Sequence, residues 1–288
     1  MKIALIDKKG VKLKVEYKSL KIDDQKIPLR LIDTIILATA STLESKDILK
    51  ITKSGISILL LSARGDDMAM ISSAESKNAE LKMEQYLAQK HALKIAKYFI
   101  SQKVERHAQQ LLEYNINLDI SKVLESIEKA KSTQRLLGIE GSFSSRYFTQ
   151  YFKLFPKKLH LGKRSKQPPL DPVNAMLSFF YMIVYNLITV RLIAFGFEPS
   201  IAFMHKPFRS HNALASDFME LFRADINTFI FELFDKEKVL ISDFTKHNGV
   251  FLKYEARRKI WRYFQPFNDK LQQKIDKEIN IFRKMIKE

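Results

Sequence analysis

The stretch I-T-K-S-G-I-S-I-L-L-L (51–61) decides the class of fold. Its first half closes a short helical pattern, Ser45 to Ser54, at Gly55. Its second half, Ile56 to Leu61, is a continuous apolar run of strand length. Toward the N-terminus, Lys2 to Ile6, Val11 to Tyr17, Lys26 to Leu31 and Thr34 to Leu37 are further short runs rich in Ile, Val and Leu. Lys-Lys-Gly and Asp-Asp turn chemistry separates them, the mark of small strands. Beyond Leu61, Arg64-Gly65-Asp66 predicts a turn and Met68 to Ile71 another strand.

From about Asn78 the apolar period becomes that of helices. Asn78 to Tyr114 predicts one long helix or two, followed by Ile120 to Ser132 and Thr133 to Phe155. The last is expected to be interrupted at Gly138-Ile139-Glu140-Gly141, because two glycines in a helix cost about 1 kcal/mol each relative to alanine. Asp171-Pro172 opens a helix with an N-cap acid and a first-turn proline, and Gly196 stops it after Phe195. Ala213 to Phe234 and a basic amphipathic tail from Tyr254 complete the series. The expected fold is α+β: a small β-rich domain over 1–75, then a larger all-α domain over 76–288.

The 288 residues carry 49 Lys and Arg against 32 Asp and Glu, a net charge of +17. Such a balance calls for a polyanionic partner, nucleic acid or an acidic membrane surface. There is no cysteine, which excludes disulfides, thiolate metal sites and cysteine nucleophiles. Asp7 follows too soon after Met1 for a signal sequence, so a cytoplasmic protein is expected. Val173 to Val190 lacks charge, but Asn174, Ser178 and Asn186 within it argue for a buried core helix and against a membrane span.

Three islands carry candidate chemistry. Glu140 lies between two glycines; His205 ends the run Ser200-Ile201-Ala202-Phe203-Met204; Asp217 and Glu220 stand three apart on one predicted helix. The i,i+3 spacing puts both carboxylates on one face, where they repel unless a cation answers them. Each island alone has an ordinary reading: a turn acid, a core or capping histidine, a solvated acidic face. Together they offer oxygen and imidazole donors suited to a hard divalent cation inside a strongly basic chain. That combination points to metal-dependent chemistry on a phosphodiester.

The islands also carry a resemblance. G-I-E-G-S-F-S-S-R-Y-F (138–148), D-P-V-N-A-M-L-S-F-F-Y (171–181), G-F-E-P-S-I-A-F-M-H (196–205) and D-F-M-E-L-F-R (217–223) resemble, in order and spacing, the CRISPR spacer-acquisition integrases, the catalytic subunit of the adaptation complex. The segment 51–61 is similar to that family's small β domain. The resemblance implies an endonuclease and integrase that joins 3′ ends of short DNA fragments to a repeat array by transesterification. It implies Mg²⁺ or Mn²⁺ held by Glu140, His205 and Glu220, with Asp217 as a supporting acid. It also implies double-stranded DNA (spacer precursor and repeat array) as partner, a homodimer formed through residues 1–75, a small companion adaptation protein, and the cytoplasm of a prokaryote.

Phe155 to Pro169 reads as a mobile, electropositive loop. Its Lys157, Lys158, Lys163, Arg164 and Lys166, with Lys206, Arg209 and Arg223, are the candidates for DNA contact. A transposon-encoded integrase of the same superfamily is the second reading. It ranks lower because such relatives usually add a C-terminal DNA-binding module, whereas this sequence reaches Glu288 soon after the helical part. A non-enzymatic DNA-binding or scaffold protein would need only the basic surface. A membrane-surface protein would rest on the basic tail alone.

Overall fold

The structure, a computed structural model, describes residues 3–62, 68–73, 78–206 and 211–288. The expected turn at Arg64-Gly65-Asp66, with Lys2 and Arg209, lies outside the described residues. The chain forms two compact units, Met1–Lys77 with Arg257–Gln273, and Asn78–Ala256 with Lys274–Glu288. Its β-rich beginning and helical remainder make it an α+β protein.

In the first unit, β1 (Ile3–Ile6), β5 (Thr34–Leu37), β7 (Ser57–Leu61) and β8 (Met68–Ile71) form one sheet in the order β1-β5-β7-β8. β1, β5 and β7 run parallel, and β8 returns antiparallel to β7. All four residues of β5 are buried, as a central parallel strand covered on both faces requires. A second sheet, in the order β4-β3-β2-β6, holds β2 (Lys12–Glu16), β3 (Ser19–Ile22), β4 (Gln25–Pro28) and β6 (Thr42–Leu43). β2 alternates exposed Lys12 and Lys14 with buried Leu13 and Val15, the signature of a strand with one wet face. The helix α1 (Ser45–Lys53) ends as expected at Gly55, whose φ is +78°. β3 and β6 escape the pattern of the sequence. β3 has two apolar residues and turns back at Asp23, whose φ is +51°; β6 is two residues long. Lys26 to Leu31 divides into β4 and a 3-10 turn at Leu29–Leu31.

The second unit contains α2 (Ala79–Leu87), α3 (Ala92–Glu113), α4 (Ser121–Glu128), α5 (Thr133–Tyr151), α6 (Pro172–Ala194) and α7 (Ala213–Asp235). A 3-10 turn at Ala88–His91 breaks the long pattern after Asn78 into α2 and α3. α5 runs without interruption through Gly138 and Gly141, contrary to expectation. A Cβ built at either glycine meets nothing within 4 Å, so no close backbone approach demands them. Asp171 caps α6 by accepting the Asn174 backbone N–H at 2.8 Å. α6 is apolar and long enough to cross a membrane by length and composition, and most of it is buried inside the protein.

A hairpin of β9 (Phe244–Lys246) and β10 (Val250–Leu252) precedes α8 (Tyr254–Met285), a long helix that contributes to both units. The hairpin was legible in Asn248-Gly249, a strong two-strand turn signal. Gly249 has φ +140°, and a Cβ there would stand 2.7 Å from that of Pro168, so only glycine fits.

The end of α8 anchors the second unit. Phe282 is buried and lies 5.3 Å from Phe218, 5.2 Å from Phe197 and 5.4 Å from Phe203, centroid to centroid. Replacing Phe282 by alanine removes the common member of this aromatic cluster. Urea unfolding of Phe282→Ala should show a loss of about 3–5 kcal/mol.

Candidate active site

The buried stripe of α3 carries the first element of the site. Ile95, Ala96, Phe99, Ile100, Val104 and Leu111 make it apolar, yet Lys103, His107 and Gln110 share the same face and are buried with it. Buried charge needs a partner, since desolvation of an unpaired ion costs several kcal/mol. Lys103 has two. Its ammonium pairs with Glu140 of α5 and, at 2.6 Å, with Glu220 Oε2 of α7. Three helices therefore converge on one cation.

Each carboxylate is held again by a neighbour on its own helix. Ser144, one turn on, donates its hydroxyl to Glu140 Oε1 at 2.6 Å. Arg223 Nε donates to Glu220 Oε2 at 2.8 Å. Burial opposes ionisation of Glu220. The charges of Arg223 and Lys103, with their hydrogen bonds, more than offset it and hold the carboxyl well below the usual carboxylate range. Burial would likewise lower the Arg223 guanidinium, but Glu220 outweighs it and stabilises the cation.

Asp217, one turn before Glu220, faces a different partner. Its carboxylate accepts the backbone N–H groups of Phe203 (2.8 Å), Met204 (3.1 Å) and His205 (3.0 Å). It also accepts from His205 Nδ1 at 2.8 Å. A carboxylate only accepts, so the Nδ1 proton points at Asp217 and the Nε2 lone pair is left outward. The solvated-face reading of the acidic pair is thus overturned, since Asp217 and Glu220 are both buried.

The four residues singled out from the sequence form two pairs, Glu140 with Glu220 through Lys103, and His205 with Asp217. Among the described residues, no three acids or imidazoles gather into a ready ligand cluster. One turn of α7 separates the two pairs.

Behind them lies a polar network that the sequence reading missed. Tyr181 donates to Asn227 Oδ1 at 2.6 Å, Asn227 Nδ2 donates to the Tyr147 hydroxyl at 2.7 Å, and Tyr147 donates to Gln110. Arg164 and Arg223 lie over the Tyr181 ring, 5.7 and 4.5 Å from its centroid. Lys103, His107 and Gln110 were detectable as polar residues on an otherwise apolar stripe. Ser144 carried no such signal.

The basic loop is tied down, where the sequence suggested mobility. Asn174 Oδ1 accepts from the Ser165 backbone at 3.0 Å, Asn174 Nδ2 donates to the Lys163 carbonyl at 2.9 Å, and Leu161 N–H reaches Asp171 at 3.1 Å. Val250 N–H of β10 donates to the Pro169 carbonyl at 2.8 Å. Arg164 turns inward to Asn174 Oδ1 (2.9 Å) and Ser178 Oγ (3.1 Å). Lys157, Lys158, Lys163, Lys166 and Lys206 face solvent. Lys166 has its pKa lowered, first by partial desolvation and then by Arg223 and Arg164, while Glu220 and Glu140 oppose the shift.

The sequence profile of the family described as CRISPR associated protein Cas1 matches residues 3–266. A CRISPR-associated endonuclease Cas1 of Thermodesulfovibrio yellowstonii is 29% identical over 288 aligned residues, spanning 92% of this chain and 91% of its own. A CAS1 protein from Thermotoga maritima has the same fold, with a TM-score of 0.91 over 99% of this chain and 97% of its own at 18% identity. A casposase bound to integration product gives a TM-score of 0.83 at 26% identity, over 93% of this chain and 82% of its own. The chain belongs to the Cas1 family of CRISPR-associated proteins. Its class is that of a DNA endonuclease and integrase.

His107 gives the site a titration of its own. Its Nδ1 donates to the Lys103 carbonyl at 2.8 Å and its ring meets Tyr147 edge-on at 4.1 Å. Burial, aided by the Lys103 charge, pushes its pKa from 6.5 down to about 3. The unfolded chain therefore takes up the proton first as pH falls. Stability is full above pH 6.5 and declines toward pH 3. Between pH 6.5 and 4.5 the wild type should lose about 2 kcal/mol relative to His107→Gln in urea unfolding, with the slope steepening toward about 1.4 kcal/mol per pH unit.

Proposed function

We propose that Glu140, Glu220 and His205 form a divalent-metal centre at which this chain joins the 3′ ends of short DNA fragments to a CRISPR repeat array. One observation carries the reading: carboxylates from two separate helices converge on a single buried cation, the Lys103 ammonium. A site that already binds a cation between two carboxylates has the donor chemistry for Mg²⁺ or Mn²⁺. His205 suits the same role, because Asp217 fixes its ring with Nε2 directed away from the carboxylate. When bound, the ion would polarise a phosphoryl oxygen and neutralise charge in the transition state.

In the joining step, a fragment's 3′-hydroxyl oxygen forms a new bond to a repeat phosphorus. The old phosphodiester bond breaks, and a 3′-hydroxyl is released on the repeat strand. Bond count is conserved, so no external energy source is needed. Glu140 and Glu220 supply the acidic walls of the site, and Asp217 acts on His205 as a positioning residue. The exposed Lys157, Lys158, Lys163, Lys166 and Lys206 offer phosphate contacts. Arg164 and Arg223 are engaged with internal partners and serve the frame of the site. The remainder of the reading is an assembly: a homodimer formed through the N-terminal β domain, bridged by a small companion protein.

The likeness to a casposase keeps a transposon-type integrase as the second reading. Preference for a repeat array over other duplex targets separates the two.

Mn²⁺-supported strand transfer of a labelled duplex fragment tests the proposal. Glu140→Ala and Glu220→Ala should each lower the rate by at least about 100-fold, and Asp217→Ala should lower it less. Full transfer by either glutamate variant would reduce the protein to a DNA-binding scaffold.

A second measurement concerns the basic loop. Neutralised phosphates release counterions, so log affinity falls with log salt by about 0.9 per contact. The variant Lys157→Gln/Lys158→Gln/Lys163→Gln should flatten that slope by about 2–3. An unchanged slope would take the loop off the DNA path.

A further inference from the structure

Lys103 stands at the centre of the candidate site, yet the proposed reaction gives its ammonium no step. It is 3% exposed and extends from the middle of α3 to a point between two carboxylates. Its place on the apolar stripe is costly unless the ammonium does something there.

Charge accounts for part of that. Glu140 and Glu220 bring two negative charges to the cluster, and Lys103 and Arg223 bring two positive ones; Glu220 and Lys103 are buried, Glu140 and Arg223 partly exposed. The cluster is balanced without any metal. Arg223 approaches Glu220 from its own helix and leaves Glu140 untouched among the bonds described. Among the described residues, Lys103 is the one that ion-pairs with both acids, and it does so as a compact point charge. A hard divalent cation seeks the same oxygens at similar range. The ammonium and the metal therefore contend for one position.

We infer that Lys103 is a built-in competitor of the metal: its ammonium occupies the cation position between Glu140 and Glu220, keeps the two carboxylates together, and must be displaced for a divalent ion to bind. The inference rests on the metal-centre reading above and adds control of occupancy to it. Without the ammonium the cluster carries an uncompensated negative charge, and the metal meets no resident cation. With it, the metal must work against a positive charge a few ångströms away, which keeps occupancy low at modest ion concentrations.

A residue of purely structural importance would weaken metal binding when replaced. A competitor strengthens it. Titration of Mn²⁺ followed by the EPR signal of the free aquo ion reads affinity directly, with no dependence on catalysis. Lys103→Met should bind Mn²⁺ at least about tenfold more tightly than the wild type. It should also melt at a lower temperature in EDTA and regain more on Mn²⁺ addition. Lys103→Gln keeps hydrogen-bond donors at the same depth without the charge, and should bind more tightly too if the methionine variant does not fold. Equal or weaker Mn²⁺ binding by a folded variant overturns the inference while leaving the metal centre in place. Absence of Mn²⁺ binding by both the wild type and the variants overturns the metal centre and the inference with it.

Discussion

The second unit depends on a buried ion cluster. Lys103 and Glu220 are buried among apolar side chains, and the partly exposed Glu140 and Arg223 complete their pairing, so neither buried charge is left without a partner. Because the members come from α3, α5 and α7, their pairing fixes the mutual register of three helices as firmly as the packing of Phe99 on Phe218. Apolar contact alone is satisfied by many small displacements. A shared ammonium with defined oxygen partners is satisfied by very few.

The rest of the site continues this economy of polar groups. Asp217 collects three consecutive backbone N–H groups and one imidazole, so it orders the end of the segment before Lys206 and fixes a tautomer at once. Tyr147, Tyr181, Asn227 and Gln110 pass hydrogen bonds between α3, α5, α6 and α7. A partly satisfied network of this kind would be a liability; most of this one is satisfied, and its geometry is correspondingly singular.

How much of this could be read in advance follows from where information is stored along a chain. The change of period near Asn78, the Asp171-Pro172 helix start and the stop at Gly196 are local events, and the structure repeats them. β3 and β6 were missed because two apolar residues, or two residues in all, make no pattern above background. The β9–β10 hairpin was missed although Asn248-Gly249 announced it. Residue type and spacing marked Glu140, His205, Asp217 and Glu220 as candidates and the family resemblance assigned them roles, but neither foretold their pairing. Whether Asp217 points at solvent or at three backbone amides depends on a segment more than ten residues away. Lys103 was harder: a lysine among forty-nine basic residues, it is distinguished only by standing on the wrong face of its helix, and Ser144 lacks even that mark.

The clamped loop between α5 and α6 has a thermodynamic consequence. Asn174, Asp171 and β10 hold its backbone at several points, and Gly249 gives Pro168 room to sit close. A flexible basic loop would surrender about 1–2 kcal/mol of backbone entropy for every residue ordered on a polyanion. Here that expense was met when the chain folded. In the proposed contact with phosphates, the lysines of the loop would lose only side-chain freedom, because the backbone that spaces them is already held. On the proposed reading, a surface held this way would favour nucleic acids whose backbone follows the trajectory set by the loop, since it does not bend to follow another.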